Sequence, residues 1–143
     1  MGTTTPLVEG FFDQYARSRS ALDLTLIASQ YSDSFMAAGP AGARTVEKSA
    51  VLAAFPKGQE FLRTLGHEST RVVSLEEMRL DEHYVLARVQ FEWRFARASA
   101  PPIEVPVDST FILFVDQGAL RIVFQQERED FQQALRARGV IPA

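Results

Sequence analysis

The sequence contains no cysteine, one tryptophan and two histidines among its 143 residues. The lack of cysteine excludes a disulfide scaffold and thiolate metal sites, and it is compatible with a reducing compartment. Continuous apolar runs such as residues 51–55 and 111–115 are far shorter than the roughly 20 residues of a membrane-spanning helix. Residues 1–6 carry neither the basic segment nor the apolar stretch of a signal peptide. We therefore expect a cytoplasmic protein that does not bind membranes.

The sequence also lacks a large excess of one charge, since it has 15 Lys and Arg residues and 18 Asp and Glu residues. The arginines are scattered singly, so we expect no nucleic-acid binding. His67 follows a glycine and His83 falls in a predicted turn, and no His–carboxylate pair has ligand spacing. We accordingly expect no metal and no cofactor.

Apolar residues make up 46% of the chain, and 11 of them are phenylalanines. A chain of this length buries about 68–70% of its unfolded surface, which is enough for one stable core. We expect residues 1–143 to form a single domain. The phenylalanine content suits either an apolar cavity for a small molecule or a well-packed dimer.

The first part of the sequence predicts helices. Thr5 is a good N-cap before Pro6, and apolar residues then recur at helical spacing, which predicts a helix over residues 6–18. Ser20 followed by Asp23 resembles a capping box and predicts the start of a second helix, whose apolar face reaches Tyr31.

A third helix is predicted from Glu47 to the glycine at position 66, with Pro56 kinking or dividing it. Before this helix the helical period is absent between residues 34 and 46. The Gly-Pro-Ala-Gly segment at 39–42 lies between two short stretches that could pair as a hairpin.

From His67 onward the hydrophobic period becomes two, which is typical of strands. The predicted strands cover residues 69–80, 84–97, 105–115 and 119–128, and a short helix or frayed tail follows over 129–138. Glu76 and Glu77 interrupt the alternation of the first strand, which predicts a bulge. Helices followed by strands predict an α+β fold with helices on one face of an antiparallel sheet.

The run at 111–115 is apolar on both strand faces, so we expect both faces to be covered. Because the helices cover only one face, a second copy of the chain is the simplest cover for the other. The sequence thus predicts a homodimer through the sheet, with Arg88, Glu92 and Arg94 on the outer or dimer face.

This plan resembles the NTF2-like α+β roll, also called the cystatin-like or SnoaL-like fold, and the resemblance covers residues 6–128. It implies a curved sheet with a cone-shaped cavity between sheet and helices. Local sequences are similar to ketosteroid isomerase: Asp13-Gln14-Tyr15, Phe91-Glu92-Trp93 and Pro106-Val107-Asp108.

The resemblance implies that Tyr15 and Asp108 form an oxyanion hole that stabilises the enolate of a polycyclic or phenolic carbonyl compound. A small apolar ligand would contact the cavity wall, which we expect to comprise Phe12, Phe35, Phe55, Phe91 and Trp93. The family's general base falls on Ala38, and residues 34–45 contain no acid. The alternative is a non-catalytic module for ligand binding or dimerisation, and the sequence leaves the two open.

Overall fold

The structure is a computed structural model that describes residues 5–142. Its elements, in chain order, are α1 (Pro6–Ala21), α2 (Leu24–Gln30), β1 (Tyr31–Gly39), β2 (Gly42–Glu47), α3 (Lys48–Thr64), β3 (His67–Arg79), β4 (Tyr84–Phe95), β5 (Ile103–Asp116), β6 (Ala119–Glu127) and α4 (Phe131–Ala137). The predicted α+β class is confirmed.

The start of α1 agrees with the sequence, because the Thr5 side chain accepts a hydrogen bond from the backbone N–H of Val8 and Pro6 follows it. The helix continues three residues beyond the predicted end, until Leu22 adopts a left-handed conformation with φ of 52°. The chain therefore starts its next helix only after Asp23, whose carboxylate caps α2. The capping box predicted at Ser20 is wrong.

Helix α3 is continuous through Pro56, so the predicted division is also wrong. Proline removes only one backbone donor, and Pro56 is exposed, where solvent can satisfy the carbonyl left unpaired. The predicted stop at Gly66 is confirmed. Gly66 has φ of 94°, and a Cβ atom there would lie 2.4 Å from the carbonyl oxygen of Ala96, so only glycine fits.

The six strands form one curved sheet in the order β2-β1-β6-β5-β4-β3. Strands β1 and β6 are parallel, and the other neighbours are antiparallel. The predicted hairpin at 39–42 is confirmed, with Gly39 paired to Gly42.

The predicted bulge at Glu76 and Glu77 is wrong, since the nearest irregularity of β3 lies between Val72 and Ser74. Glu77 interrupts the apolar pattern for another reason. It points to the helix side, is 5% exposed, and its Oε1 accepts a 2.6 Å hydrogen bond from the backbone N–H of Thr5. A buried acid thus attaches the start of α1 to β3.

The main core lies between the helices and one face of the sheet, which we call the inner face. As the alternation predicts, β4 contributes a row of buried residues to this face, namely Val85, Ala87, Val89, Phe91 and Phe95. The side chains at the alternate positions of β4 point to the opposite side of the sheet, which we call the outer face.

Candidate ligand-binding site

Two of the predicted ligand contacts, Phe55 and Trp93, line an open pocket of about 280 Å³. Helices α1, α3 and α4 and strand β4 form its wall. The lining residues are Arg19, Phe55, Gly58, Gln59, Phe61, Leu62, Trp93, Phe131, Gln132 and Leu135. Aromatic and aliphatic side chains predominate, which is typical of small-molecule sites.

Helix α4 closes one side of this pocket. Asp130 caps the helix by accepting a hydrogen bond from the backbone N–H of Gln133, and Leu135 is fully buried beside Phe95 of the sheet. This packing brings the ring of Phe131 to 4.8 Å from that of Trp93, measured between centroids. The C-terminal helix therefore completes the aromatic wall.

Arg19 supplies the charged group of the pocket wall, and it is only 4% exposed. Its Nη1 donates hydrogen bonds to Ser18 Oγ at 2.9 Å and Gln30 Oε1 at 3.0 Å, and its Nη2 donates to Tyr31 Oη at 2.7 Å. The guanidinium carbon lies 3.7 Å from the centroid of the Tyr15 ring. A buried cation is thus held by three neutral oxygens and an aromatic face.

A chain of hydrogen bonds runs from this cation along the inner face. Tyr31 Oη donates to Gln125 Oε1 at 2.9 Å, and Gln125 Nε2 donates to Glu127 Oε1 at 2.7 Å. Glu127 Oε2 accepts a 2.6 Å bond from the hydroxyl of Ser109. A carboxylate therefore lies at the far end of the network, and two neutral side chains separate it from Arg19.

Tyr15, a predicted catalytic residue, is 6% exposed and stacks on Phe91 with 5.1 Å between ring centroids. Its hydroxyl accepts a 3.3 Å hydrogen bond from Gln125 Nε2. Burial raises the pKa of Tyr15 well above its ordinary value, although the nearby Arg19 guanidinium acts in the opposite direction. The phenol therefore stays protonated at neutral pH.

Three further predicted ligand contacts lie in the packed core instead of the pocket wall. Phe12 is fully buried, Phe91 is 2% exposed, and Phe35 is 7% exposed with its ring 4.6 Å from that of Tyr31. The sequence pattern does not separate core from cavity lining, because both positions demand the same apolar residues.

Asp108 lies on the outer face of the sheet. It pairs in register with Gln90, whose neighbours Val89 and Phe91 point inward, and its carboxylate accepts a 3.2 Å hydrogen bond from Arg128 Nη1. Tyr15 is on the inner side, so the predicted oxyanion hole of Tyr15 and Asp108 is not formed. The two neighbours of Asp108 in β5, Val107 and Ser109, face inward.

A second, wider pocket of about 1010 Å³ opens beside the first, between the β1–β2 hairpin and the start of α4. Phe131 lines both pockets. Ala38, where the resemblance places a general base, is in its wall, and so is the carboxylate residue Glu127. The strand pairing of Ala38 with Gln126 explains this proximity.

Residues 5–130 match the family described as NTF2-like protein (DUF6841). The chain belongs to this family. The search of curated proteins found no match. The NTF2-like roll predicted from the order of helices and strands is confirmed.

Solved structures share this fold at low sequence identity. The protein Aln2 from a Streptomyces species is 14% identical with a TM-score of 0.73, over 96% of this chain and 100% of that one. An NTF-2 like protein of unknown function from Shewanella oneidensis is 13% identical with a TM-score of 0.67, over 86% and 97% of the two chains. A protein of unknown function with a cystatin-like fold from Nostoc punctiforme is 11% identical, with a TM-score of 0.68 over 91% and 96%.

Neither histidine of this NTF2-like protein lines the two pockets, although the ring of His67 lies 4.9 Å from that of Trp93, measured between centroids. His67 is half-buried, with Nε2 2.9 Å from Thr70 Oγ1, and His83 is exposed. Within residues 5–142, no three His, Asp or Glu side chains lie together as a metal site requires. No helix in the same range is long and apolar enough to cross a membrane. The cytoplasmic location stays a prediction.

Sequence reasoning missed Arg19, Gln125, Glu127 and Phe131. A signal for Arg19 was present, because Val8, Phe12, Tyr15 and Arg19 follow one another at helical spacing on the buried stripe of α1. A charged residue in such a stripe needs buried partners. No comparable signal marks Glu127, whose inward direction depends on the register of β6.

Proposed function

We propose that this NTF2-like protein binds a small, mainly apolar ligand in the pocket between α3, α4 and Trp93. The supporting observation is that aromatic and aliphatic residues from two helices and a strand surround open space that no side chain of residues 5–142 fills. Exposed apolar surface in a concavity is unfavourable in water, and a ligand would cover it.

The size of the pocket limits the ligand. A volume of about 280 Å³ is close to the lower end of the roughly 300–1,000 Å³ range of ligand pockets. One or two fused rings suit this volume better than the tetracyclic skeleton of a steroid. The four aromatic side chains of the wall favour a flat molecule.

A neutral bicyclic probe, 2-naphthamide, tests this proposal by calorimetric titration. The protein has one tryptophan, so the indole N–H of Trp93 gives a single NMR cross-peak that reports occupancy of the pocket. We expect saturable binding that shifts this cross-peak, and weaker binding to Trp93→Leu. A matched Leu7→Ala variant, altered at an exposed position on α1, should bind normally. Binding that is equally tight in the wild type and in Trp93→Leu would refute the proposal.

A second candidate is isomerase-type proton transfer, and Glu127 favours it. This carboxylate faces the pocket that contains Ala38 and receives hydrogen bonds from Ser109 and Gln125. In this candidate Glu127 removes a proton from the carbon beside a carbonyl group and returns it elsewhere on the enolate. Gln125 donates a hydrogen bond to each of Glu127 and Tyr15, and so connects this carboxylate to the buried phenol in the core.

Deuterium exchange at the acidic carbon of 2-tetralone, followed by NMR in D₂O, tests this second candidate. Exchange should exceed the buffer rate in the wild type and fall by about 10²-fold or more in Glu127→Gln, as expected when a general base is lost. Glu47→Gln, at an exposed glutamate without a capping hydrogen bond, is the matched control. Exchange that is equal in wild type and Glu127→Gln excludes Glu127 as the base.

We also propose the homodimer through the outer face. The strand registers align Met78, Leu86, Ile112, Phe124 and Met36 in one apolar row across five strands. The adjacent rows carry charges of both signs: Glu76, Arg88, Asp108 and Arg128. A second copy related by a two-fold axis would cover the apolar row and place opposite charges together.

A further inference from the structure

Among residues 5–142, no acidic side chain pairs with the buried guanidinium of Arg19. The ion pairs found within residues 5–142 do not include Arg19, although it is 4% exposed. A buried charge is unfavourable unless it is paired and hydrogen-bonded. The negative end of the α1 dipole offsets part of this penalty, since Arg19 is in the last turn of that helix.

Within the part of the chain that the structure describes, the hydrogen-bond acceptors found for Arg19 are fewer than its donors. Arginine has five N–H donors in a planar fork, whereas the structure gives this side chain hydrogen bonds to three acceptors, on Ser18, Gln30 and Tyr31. All three acceptors are neutral. The nearest carboxylate of the network, on Glu127, is reached only through Tyr31 and Gln125.

The charge is close to the apolar pocket. The guanidinium carbon lies 5.3 Å from the ring centroid of Phe55, and both residues are in the pocket wall. The other polar side chains of the wall, Gln59 and Gln132, are uncharged, and the Gln59 amide is engaged with the backbone carbonyl of Arg19. Among the residues that the structure describes, the wall of this pocket therefore carries one formal charge, and it is positive.

We infer that the ligand carries a carboxylate on its flat apolar body and that Arg19 binds this group. This inference rests on the proposed ligand-binding function and names its ligand class. A carboxylate matches the planar guanidinium fork and neutralises the buried charge, while the rings of the ligand contact Phe55, Trp93 and Phe131. Tyr15 and Tyr31 hold the guanidinium in place from the core side.

Two probes of nearly equal shape, 2-naphthoate and 2-naphthamide, test the inference by calorimetry at neutral pH. In the wild type the carboxylate should bind at least about tenfold more tightly, since a hydrogen bond between two charged groups is roughly twice as strong as a neutral one. Arg19→Met should remove this preference, and Arg19→Lys should retain part of it. Arg17→Met is the matched control, because Arg17 is exposed on the same helix.

Each outcome is decisive. Equal affinity for the two probes in the wild type overturns the carboxylate inference and leaves the pocket proposal standing. Failure of both probes to bind overturns the pocket proposal itself. A preference that survives in Arg19→Met shows that another group binds the carboxylate, which also overturns the inference. If Arg19→Met does not fold, the wild-type affinity ratio and Arg19→Lys give the answer.

Discussion

Arg19 and Tyr15 lie one helical turn apart on α1, and the guanidinium carbon of Arg19 is 3.7 Å from the centroid of the Tyr15 ring. The contact is buried, because neither residue is more than 6% exposed. Desolvation strengthens attraction between a cation and the negative face of an aromatic ring. This contact stabilises the buried charge of Arg19 on α1 beside the apolar core that surrounds Tyr15.

Replacement of Tyr15 separates the contribution of its ring from that of its hydroxyl. Tyr15→Phe loses the polar contacts of the hydroxyl, including the 3.3 Å hydrogen bond from Gln125, and we expect unfolding free energy to fall by about 1 kcal/mol. Tyr15→Leu also loses the contacts with Arg19 and Phe91, and we expect a fall of roughly 2–4 kcal/mol. Urea unfolding measures both, and equal losses would show that the ring contributes nothing specific.

Acid should destabilise the protein partly through His67. Burial lowers the pKa of His67, whereas the unfolded chain has an ordinary histidine pKa of about 6.5. As pH falls, His67 therefore binds a proton in the unfolded state before it does so in the folded state. The stability that neutral His67 contributes is complete above about pH 6.5 and is lost as pH falls below that value. Urea midpoints compared at about pH 8 and pH 5.5 should differ less in His67→Gln than in the wild type. His83→Gln, at an exposed histidine, should retain the full dependence.

Replacement of Asp108 tests whether this residue has the pocket role that the resemblance implied or the outer-face position found in the structure. Its one ion pair within residues 5–142 is with the exposed Arg128, so Asp108→Asn should alter unfolding free energy by less than about 1 kcal/mol. Affinity for 2-naphthamide should also be unchanged, because the residue is on the outer face. A clear loss of affinity, measured by calorimetry, would support the pocket role that the resemblance implied.

A charge in the apolar row of the outer face should prevent dimerisation. Ile112 lies in the middle of this row between Leu86 and Phe124. We expect the wild type to sediment as a dimer at micromolar concentration and Ile112→Glu to sediment as a monomer, because the interface would bury an unpaired charge. Leu7→Glu, on the helix side, should not alter the mass. A monomeric wild type would exclude the homodimer.

Local patterns in the sequence were sufficient for much of the fold. The period of two after His67, the Thr5-Pro6 cap and the Gly66 stop each depend on neighbours within a few residues, and each is found in the structure. The error at Glu77 concerns a long-range partner. The cause of the break at Glu77 is a hydrogen bond to Thr5, 72 positions away, which no local pattern contains.

The sequence by itself determined the α+β class, the inward row of β4 and the place of Trp93 in that row, because hydrophobic alternation follows directly from backbone geometry. Only the tertiary structure decided which apolar residues fill the core and which line the pocket, since both require the same residue types. It also decided that Asp108 points outward and Glu127 inward. A shift of one residue in strand register reverses the face of a side chain, and that register is set by contacts between strands distant in the chain.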